Sequence, residues 1–403
     1  MASHNYIVQA SQAIISSDRV KVDFRNLHTI AITLKVSERC NLDCDYCYFF
    51  NAGDDSYEEH PSLLSHDTAK ILVQRLKEFA IEYDLRRIVI HLHGGEPLLM
   101  PRPRFERICE EFRSNLDPMV DLALTVQTNG SLIDLEWIET FERYGIQVGI
   151  SLDGAQKHND LHRYDHQGRS SYEATVRGFK LCQEHLKHSP MILSVIDADF
   201  SAKEIYQHFR EDLGAEHFDF LLPDLNHDNF DGNAEAYGDF LIDVFDQMVD
   251  DDASVQVRII DHFIARIYGY DNFLFSSERY SPENLLVTVS SDGGMGPEDT
   301  IRSTKFWSGY DYKDVKTSSI GEVLQDPILQ DFVYGKNTPA TACEDCCWRD
   351  VCGSGQPEHR YGSVNGFDNP SVYCEGLDKF YTHVLRHLAL KGEPLSKLGA
   401  ALV

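Results

Sequence analysis

Residues 28–47, HTIAITLKVSERCNLDCDYC, decide how this chain is read. Its first nine residues are mostly apolar and β-branched, the composition of a strand buried in a parallel sheet. Cys40, Cys44 and Cys47 follow directly, three cysteines within eight residues. Thiolates at that spacing can wrap three irons of a [4Fe–4S] cluster. With no fourth cysteine nearby, one iron keeps an open position, which implies a bound substrate or cofactor by the logic of catalytic zinc. A zinc site or a chance cluster is the alternative.

Outward from this stretch the pattern repeats. Further strands are predicted at 87–93, 122–127, 146–152, 191–196 and 217–222. Helical patterns lie between them, at about 103–115, 132–144, 171–186 and 202–213. In an earlier helix Leu72, Leu76, Phe79 and Ala80 share one face, with Ser65 or Asp67 as its cap. Six strand–helix units in series predict parallel α/β architecture, either a doubly wound sheet or a full or partial barrel. The strands end in His93-Gly-Gly-Glu-Pro97, Thr128-Asn-Gly130 and Ser151-Leu-Asp-Gly154, with Arg163 beyond. Each is an ordinary turn taken singly. Together they fall at the carboxyl ends of successive strands, where α/β folds build their sites. After Asn226 the ladder is expected to stop. A helical stretch (235–270) broken at a solvated Asp250-Asp251-Asp252, a short β stretch (286–290) and a linker (335–342) should follow.

The chain has 403 residues and 10 cysteines, and its formal net charge is −28. That charge excludes a generic binder of nucleic-acid backbone, which needs clustered cations. No run of 18 apolar residues predicts a membrane span, and no signal-peptide core opens the sequence. A cytoplasmic location is therefore expected, where thiols stay reduced and clustered cysteines read as metal or iron–sulfur ligands. The late cluster contains Cys343, Cys346, Cys347 and Cys352, with Cys374 beyond; a structural zinc site is its plain alternative. Cys109 and Cys182 read as core residues, and His91 and His93 as satisfied strand-end residues.

Cys-x3-Cys-x2-Cys followed by GGEP, TNG and SLDG with a downstream Arg resembles the radical S-adenosylmethionine (radical SAM) enzymes. The resemblance implies a partial (β/α)6 barrel over 28–225, whose cluster chelates the methionine moiety and yields a 5′-deoxyadenosyl radical. It assigns Gly95 and Glu96 to the methionine amine and Ser151 and Arg163 to the ribose and carboxylate. Tyr46 and Leu225 would lie near the adenine, and Asn129 belongs to the same cofactor site. The late cysteines resemble the C-terminal SPASM extension of radical peptide maturases. Such extensions usually carry two auxiliary clusters, but here Glu298 and Gln356 stand at ligand positions of the first. The inference is one auxiliary [4Fe–4S] cluster on Cys343, Cys346, Cys352 and Cys374. Cys347 would be an extra packing thiol, able to substitute for Cys346.

The same resemblance places Asp299 where sulfatase-maturing enzymes carry a catalytic carboxylate, with Glu298 beside it. A carboxylate there would take the proton released as a ring regains aromaticity. The stretch from Glu358-His359-Arg360-Tyr361 to Cys374 is similar to the C-terminal signature of cyclophane-forming maturases. The expected activity is therefore modification of a ribosomally made precursor peptide, joining an aromatic ring carbon to the β-carbon of a residue two positions later. Formylglycine formation of the sulfatase-maturase kind, or a thioether crosslink, is the alternative; a zinc-stabilised binding protein is a third reading. An electron donor such as flavodoxin or ferredoxin is implied. The organisation expected is an N-terminal extension (1–27), the barrel (28–225), a bridging region (226–335), a SPASM-like domain (336–385) and a tail (386–403).

Overall fold

The computed structural model describes residues 27–251, 255–268, 284–307, 310 and 312–393. The expected N-terminal extension, apart from Leu27, and the end of the tail lie outside them. Six strands, β1 (Thr29–Ser37), β2 (Arg87–Gly94), β3 (Asp121–Thr128), β4 (Ile146–Ser151), β5 (Met191–Val195) and β6 (His217–Leu221), lie side by side in chain order. Each is parallel to the next. A doubly wound sheet reverses its strand order at a switch point. No reversal occurs here, so the ladder is a partial barrel.

Helices α1 (His66–Tyr83), α2 (Arg102–Leu116), α3 (Leu135–Tyr144), α4 (Tyr172–His185) and α5 (Ala202–Gln207) connect the strands. In α1 the Ser65 hydroxyl accepts from Thr68 N at 2.9 Å and is the cap. Its face Leu72, Leu76, Phe79 and Ala80 is buried, each large side chain contributing about 1.5–3 kcal/mol. After α5 the chain widens into a π turn, His208–Asp212, where the periodicity suggested a longer helix.

The ladder does not stop at Asn226. After α6 (Ala234–Asp250) a short strand, β7 (Gln256–Val257), adds in parallel to β6 and leads into α7 (Arg258–Ile267). β8 (Asn284–Val289) then pairs in parallel with β1, closing the other flank. β9 (Gly294–Gly296) and β10 (Lys313–Asp314) add antiparallel beyond it. The expected solvated acidic break is partly tied down, because Asp251 accepts from Arg210 at 2.8 Å and from the Tyr206 hydroxyl at 3.3 Å. The expected linker begins as helix, since Pro327–Asn337 is helical.

α8 (Cys374–Leu390) closes the described chain by crossing α6. Two glycines permit the crossing: a Cβ on Gly238 would stand 2.3 Å from the Gly376 carbonyl oxygen, and one on Gly376 2.1 Å from that of Ala234. The cysteine-rich segment is fastened to this pair of layers. Trp348 donates to Asp378 of α8 at 2.6 Å, and Arg266 of α7 donates to the Asp350 carbonyl at 2.7 Å.

Candidate active site at the barrel mouth

The loop after β1 is stitched to the segment beyond β4. Asp43 N donates to Tyr164 O at 2.8 Å, Asp45 N to His162 O at 3.3 Å, and Leu42 bridges Asp165. Asn41 and Asn129 join side chains at 2.9 Å, linking the loop to the end of β3. Cys40, Cys44 and Cys47 are thereby held as partly exposed neighbours. Burial pushes Cys40 up to about 12 and Cys44 up to about 11. A cation among them reverses this, since a coordinating thiol is deprotonated outright.

Gly94 has φ +155°, and a Cβ there would strike the Ser37 carbonyl oxygen at 1.9 Å. The two glycines thus let the end of β2 press against the loop after β1. Glu96 is buried, and its carboxylate accepts from the Thr128 hydroxyl at 2.6 Å, Asn129 N at 2.8 Å and Leu98 N at 3.0 Å. This clamp on the β3 turn is a role the sequence reading did not assign to Glu96. Gly178 of α4 sits against the same turn, where a Cβ would stand 2.1 Å from the Gly130 carbonyl oxygen.

Further round the rim, Gln127 donates to the Ser151 hydroxyl at 2.8 Å. The Tyr46 hydroxyl donates to Asp153 at 2.5 Å and accepts from Arg163 at 2.7 Å. Arg163 is buried, yet its Nε meets no acceptor. Leu225 follows β6, half-buried. The sequence-predicted cofactor residues therefore share one rim.

Behind them lies a buried charged group the sequence did not reveal. Lys35, on β1, pairs with Asp299, and the Tyr48 hydroxyl donates to the same carboxylate oxygen at 2.8 Å. His93 Nδ1 is 3.3 Å from the Lys35 ammonium. Burial pushes the Asp299 carboxyl up, but Lys35, His93 and the hydroxyl from Tyr48 together hold it well below its ordinary value. His91 is satisfied by Thr125 at 2.7 Å, and burial pulls it down to about 4. Asp224, just past β6, was not singled out either. Burial and the charges of Asp299 and Glu298 push its carboxyl up to about 7. Its oxygens and the donor atoms of Glu358 and His359 lie within 4.8 Å of one another.

The late cysteines occupy a separate place, beside α7 and α8. Cys374 interacts with Cys343 and Cys346, and Cys352 with Cys374 and Cys343. Cys343 is buried and Cys352 partly so, while Cys346 and Cys374 are exposed. Cys347 is exposed rather than packed, which corrects the expectation for it. Cys109 and Cys182 are fully buried core residues, as read from their helix faces.

Residues 34–206, which run from the end of β1 into α5 and hold every rim motif except Leu225, match the family model of the radical SAM superfamily. Those residues form a radical SAM domain. Its cofactors are accordingly S-adenosylmethionine and a [4Fe–4S] cluster. The residues fit them: three neighbouring thiols lie beside a buried guanidinium nitrogen that still needs an acceptor. The cysteine-type anaerobic sulfatase-maturating enzyme of Clostridium novyi (strain NT) is 21% identical over 374 residues, covering 89% of this radical SAM enzyme and 96% of the relative. The serine-type enzyme of Bacteroides thetaiotaomicron is 22% identical, covering 87% of each chain. The solved structure of native anSMEcpe with bound AdoMet superposes with a TM-score of 0.77 at 21% identity, covering 90% of this chain and 98% of that one. The same protein with AdoMet and the Cp18Cys peptide gives 0.77 as well. The fold, including its SPASM-like end, is thus that of the sulfatase-maturase type. Among the described residues no helix is long and apolar enough to cross a membrane.

Proposed function

We propose that this radical SAM enzyme oxidises a side chain of a peptide by two electrons, making formylglycine from cysteine or serine, a reading supported by its similarity to cysteine-type and serine-type sulfatase-maturating enzymes. The observation that carries the reading is the second group of cysteines, Cys343, Cys346, Cys352 and Cys374, gathered away from the rim. One auxiliary [4Fe–4S] cluster held there gives the second electron a destination, which redox-neutral radical chemistry does not need. When bound, S-adenosylmethionine and its cluster supply a 5′-deoxyadenosyl radical that removes one hydrogen atom. The chain's own residues do the rest. Arg163 and Ser151 orient the cofactor, Gly95 allows its close approach, Tyr46 and Leu225 flank the adenine, and Glu96 and Asn129 fix the turn beneath it.

Cyclophane formation is the second reading, and one observation favours it. The stretch similar to cyclophane maturases brings Glu358 and His359 to the rim beside Asp224. A flavodoxin or ferredoxin would supply the first electron in either case.

The test is anaerobic reconstitution followed by incubation with S-adenosylmethionine, dithionite and two peptides. One is a sulfatase-type peptide with a target cysteine, the other a peptide with an aromatic residue two positions before its target. An aldehyde with loss of sulfur from the first supports the main reading. A product lacking two hydrogens and bearing no aldehyde from the second supports cross-linking. Wild-type enzyme that cleaves S-adenosylmethionine but alters neither peptide rejects both.

A further inference from the structure

Two desolvated carboxylates compete for the proton that leaves the substrate, and their surroundings are opposite. Asp299, the position expected from the resemblance, is already committed. Lys35 pairs with it, and the Tyr48 hydroxyl donates to the same oxygen. A carboxylate held ionised by an ammonium in a buried site is a weak base.

Asp224 lies just past the carboxyl end of β6, near enough to Asp299 to feel its charge. Among the described residues no hydrogen-bond donor or cation reaches its carboxylate. Carboxylates, phenol hydroxyls and one imidazole face it. Asp299 and Glu298 face it from the segment after β9, Tyr48 from the loop after β1, and Glu358, His359 and Tyr373 from the C-terminal segment. Two like charges near a desolvated carboxylate favour the protonated form, so proton uptake there relieves repulsion. The side chain is also half-buried rather than sealed, unlike Asp299.

We propose that Asp224, rather than Asp299, takes the substrate proton, an inference that rests on the reading of the site as one that oxidises a peptide side chain. With its cofactors bound, and an auxiliary cluster held by Cys343, Cys346, Cys352 and Cys374, the side chain would lose one hydrogen atom to the 5′-deoxyadenosyl radical, one electron to that cluster and one proton to an Asp224 carboxylate oxygen. For a cysteine target the S–H bond breaks and a C=S bond forms at the β-carbon, ready for hydrolysis to the aldehyde. For a cross-linked target the ring C–H bond breaks after the new C–C bond has formed. The atoms and electrons balance identically in the two cases. Asp299 is then a positioning residue, holding Lys35 and Tyr48 behind the loop that carries the cysteines.

The experiment uses full-length reconstituted enzyme as wild type, Asp224→Asn, Asp224→Glu and Asp299→Asn. An infrared pH titration reads the protonated-carboxyl band that disappears between about pH 6 and about pH 8, a window set by a carboxylate shifted toward neutrality. That band is expected to vanish in Asp224→Asn and to remain in Asp299→Asn. Peptide modified per 5′-deoxyadenosine released is expected to fall roughly 100-fold or more in Asp224→Asn, the scale of a lost general base. Asp224→Glu should restore turnover with its acid limb moved. Loss of the band in Asp299→Asn instead, or turnover by Asp224→Asn within about threefold of wild type, overturns the proposal. So does a stoichiometric divalent cation released by Asp224→Asn, because it would occupy the carboxylate. If wild type modifies no peptide, the proposed function fails, while the infrared result still decides which carboxylate is the neutral one.

Discussion

The loop of Cys40, Cys44 and Cys47 and the segment of Cys343, Cys346, Cys352 and Cys374 hold their thiols in different ways. The first is tied to β3 and to residues 162–165 by backbone and amide hydrogen bonds, with every cysteine partly covered. The second is fastened mainly through α7 and α8, and Cys346 and Cys374 are exposed. Under the proposed function, the difference teaches a division of labour. A site that holds a cofactor beside a peptide needs rigid walls on several strands, whereas a site that only passes an electron needs proximity and can stand near the surface.

The largest effect expected is on this contrast itself. Cys44→Ala should abolish S-adenosylmethionine cleavage and remove about four irons per chain, the content of one cluster. Cys343→Ala/Cys374→Ala should lower iron from about eight to about four and stop peptide oxidation, but retain uncoupled 5′-deoxyadenosine release. If both variants lose cleavage alike, the two regions do not divide the work. Twelve irons or so in wild type would mean a third cluster and an error in reading Glu298 and Gln356 as lost ligands.

Lys35→Met leaves Asp299 buried without its ammonium partner and should cost about 3–5 kcal/mol by urea unfolding, the usual consequence of breaking a buried pair. Lys35→Met/Asp299→Asn should recover most of that loss; a double variant no more stable than the single one would mean the pair contributes nothing specific. Gly238→Ala sharpens the comparison from the other side. Its new methyl group meets the Gly376 carbonyl, two residues beyond Cys374, and should cost about 1–3 kcal/mol by overpacking. We expect it to loosen the auxiliary irons under a chelator while the first cluster resists. Equal loss from both sites would show that the late segment is not seated through the α6–α8 crossing.

The smallest effect is a pH dependence at the first region. The Glu38 carboxylate accepts from His60 at 2.7 Å and, against the opposing effect of burial, raises the imidazole above its ordinary value. A group whose folded value is raised contributes stability fully present below its unfolded value, about 6.5, and lost as pH rises through the folded one. Stability should therefore decline modestly above about pH 6.5, and His60→Gln should flatten that slope. A variant with the same slope as wild type would assign the decline elsewhere.

Much of this molecule was legible because its signals are local. Strand composition located β1 to β6, and cysteine spacing with the glycine turns located the rim. What escaped depends on distant pairing. β8 reads as a short β stretch, yet nothing within residues 286–290 says it will lie beside β1. Lys35 looks like an ordinary polar residue of a strand until Asp299, more than 250 positions later, arrives beside it. A signal did exist, since a lysine in a strand otherwise read as buried needs a partner. Asp224 has no motif around it, but it lies just past β6, at the same end of the sheet where β1 to β4 lead into site residues. The role of Glu96 was missed for a subtler reason: its three donors come from two different turns, and the sequence cannot show both at once.

The placement of Cys374 on α8 also sets a clock. More than 300 residues separate it from Cys47. At about 5–20 residues per second, the last auxiliary thiol emerges from the ribosome roughly 15–60 seconds after the first three. Throughout that interval the early thiols are available to iron while the late set is incomplete. Protein isolated with half its iron is therefore expected as a normal stage of biogenesis, and not only as a product of oxidative damage.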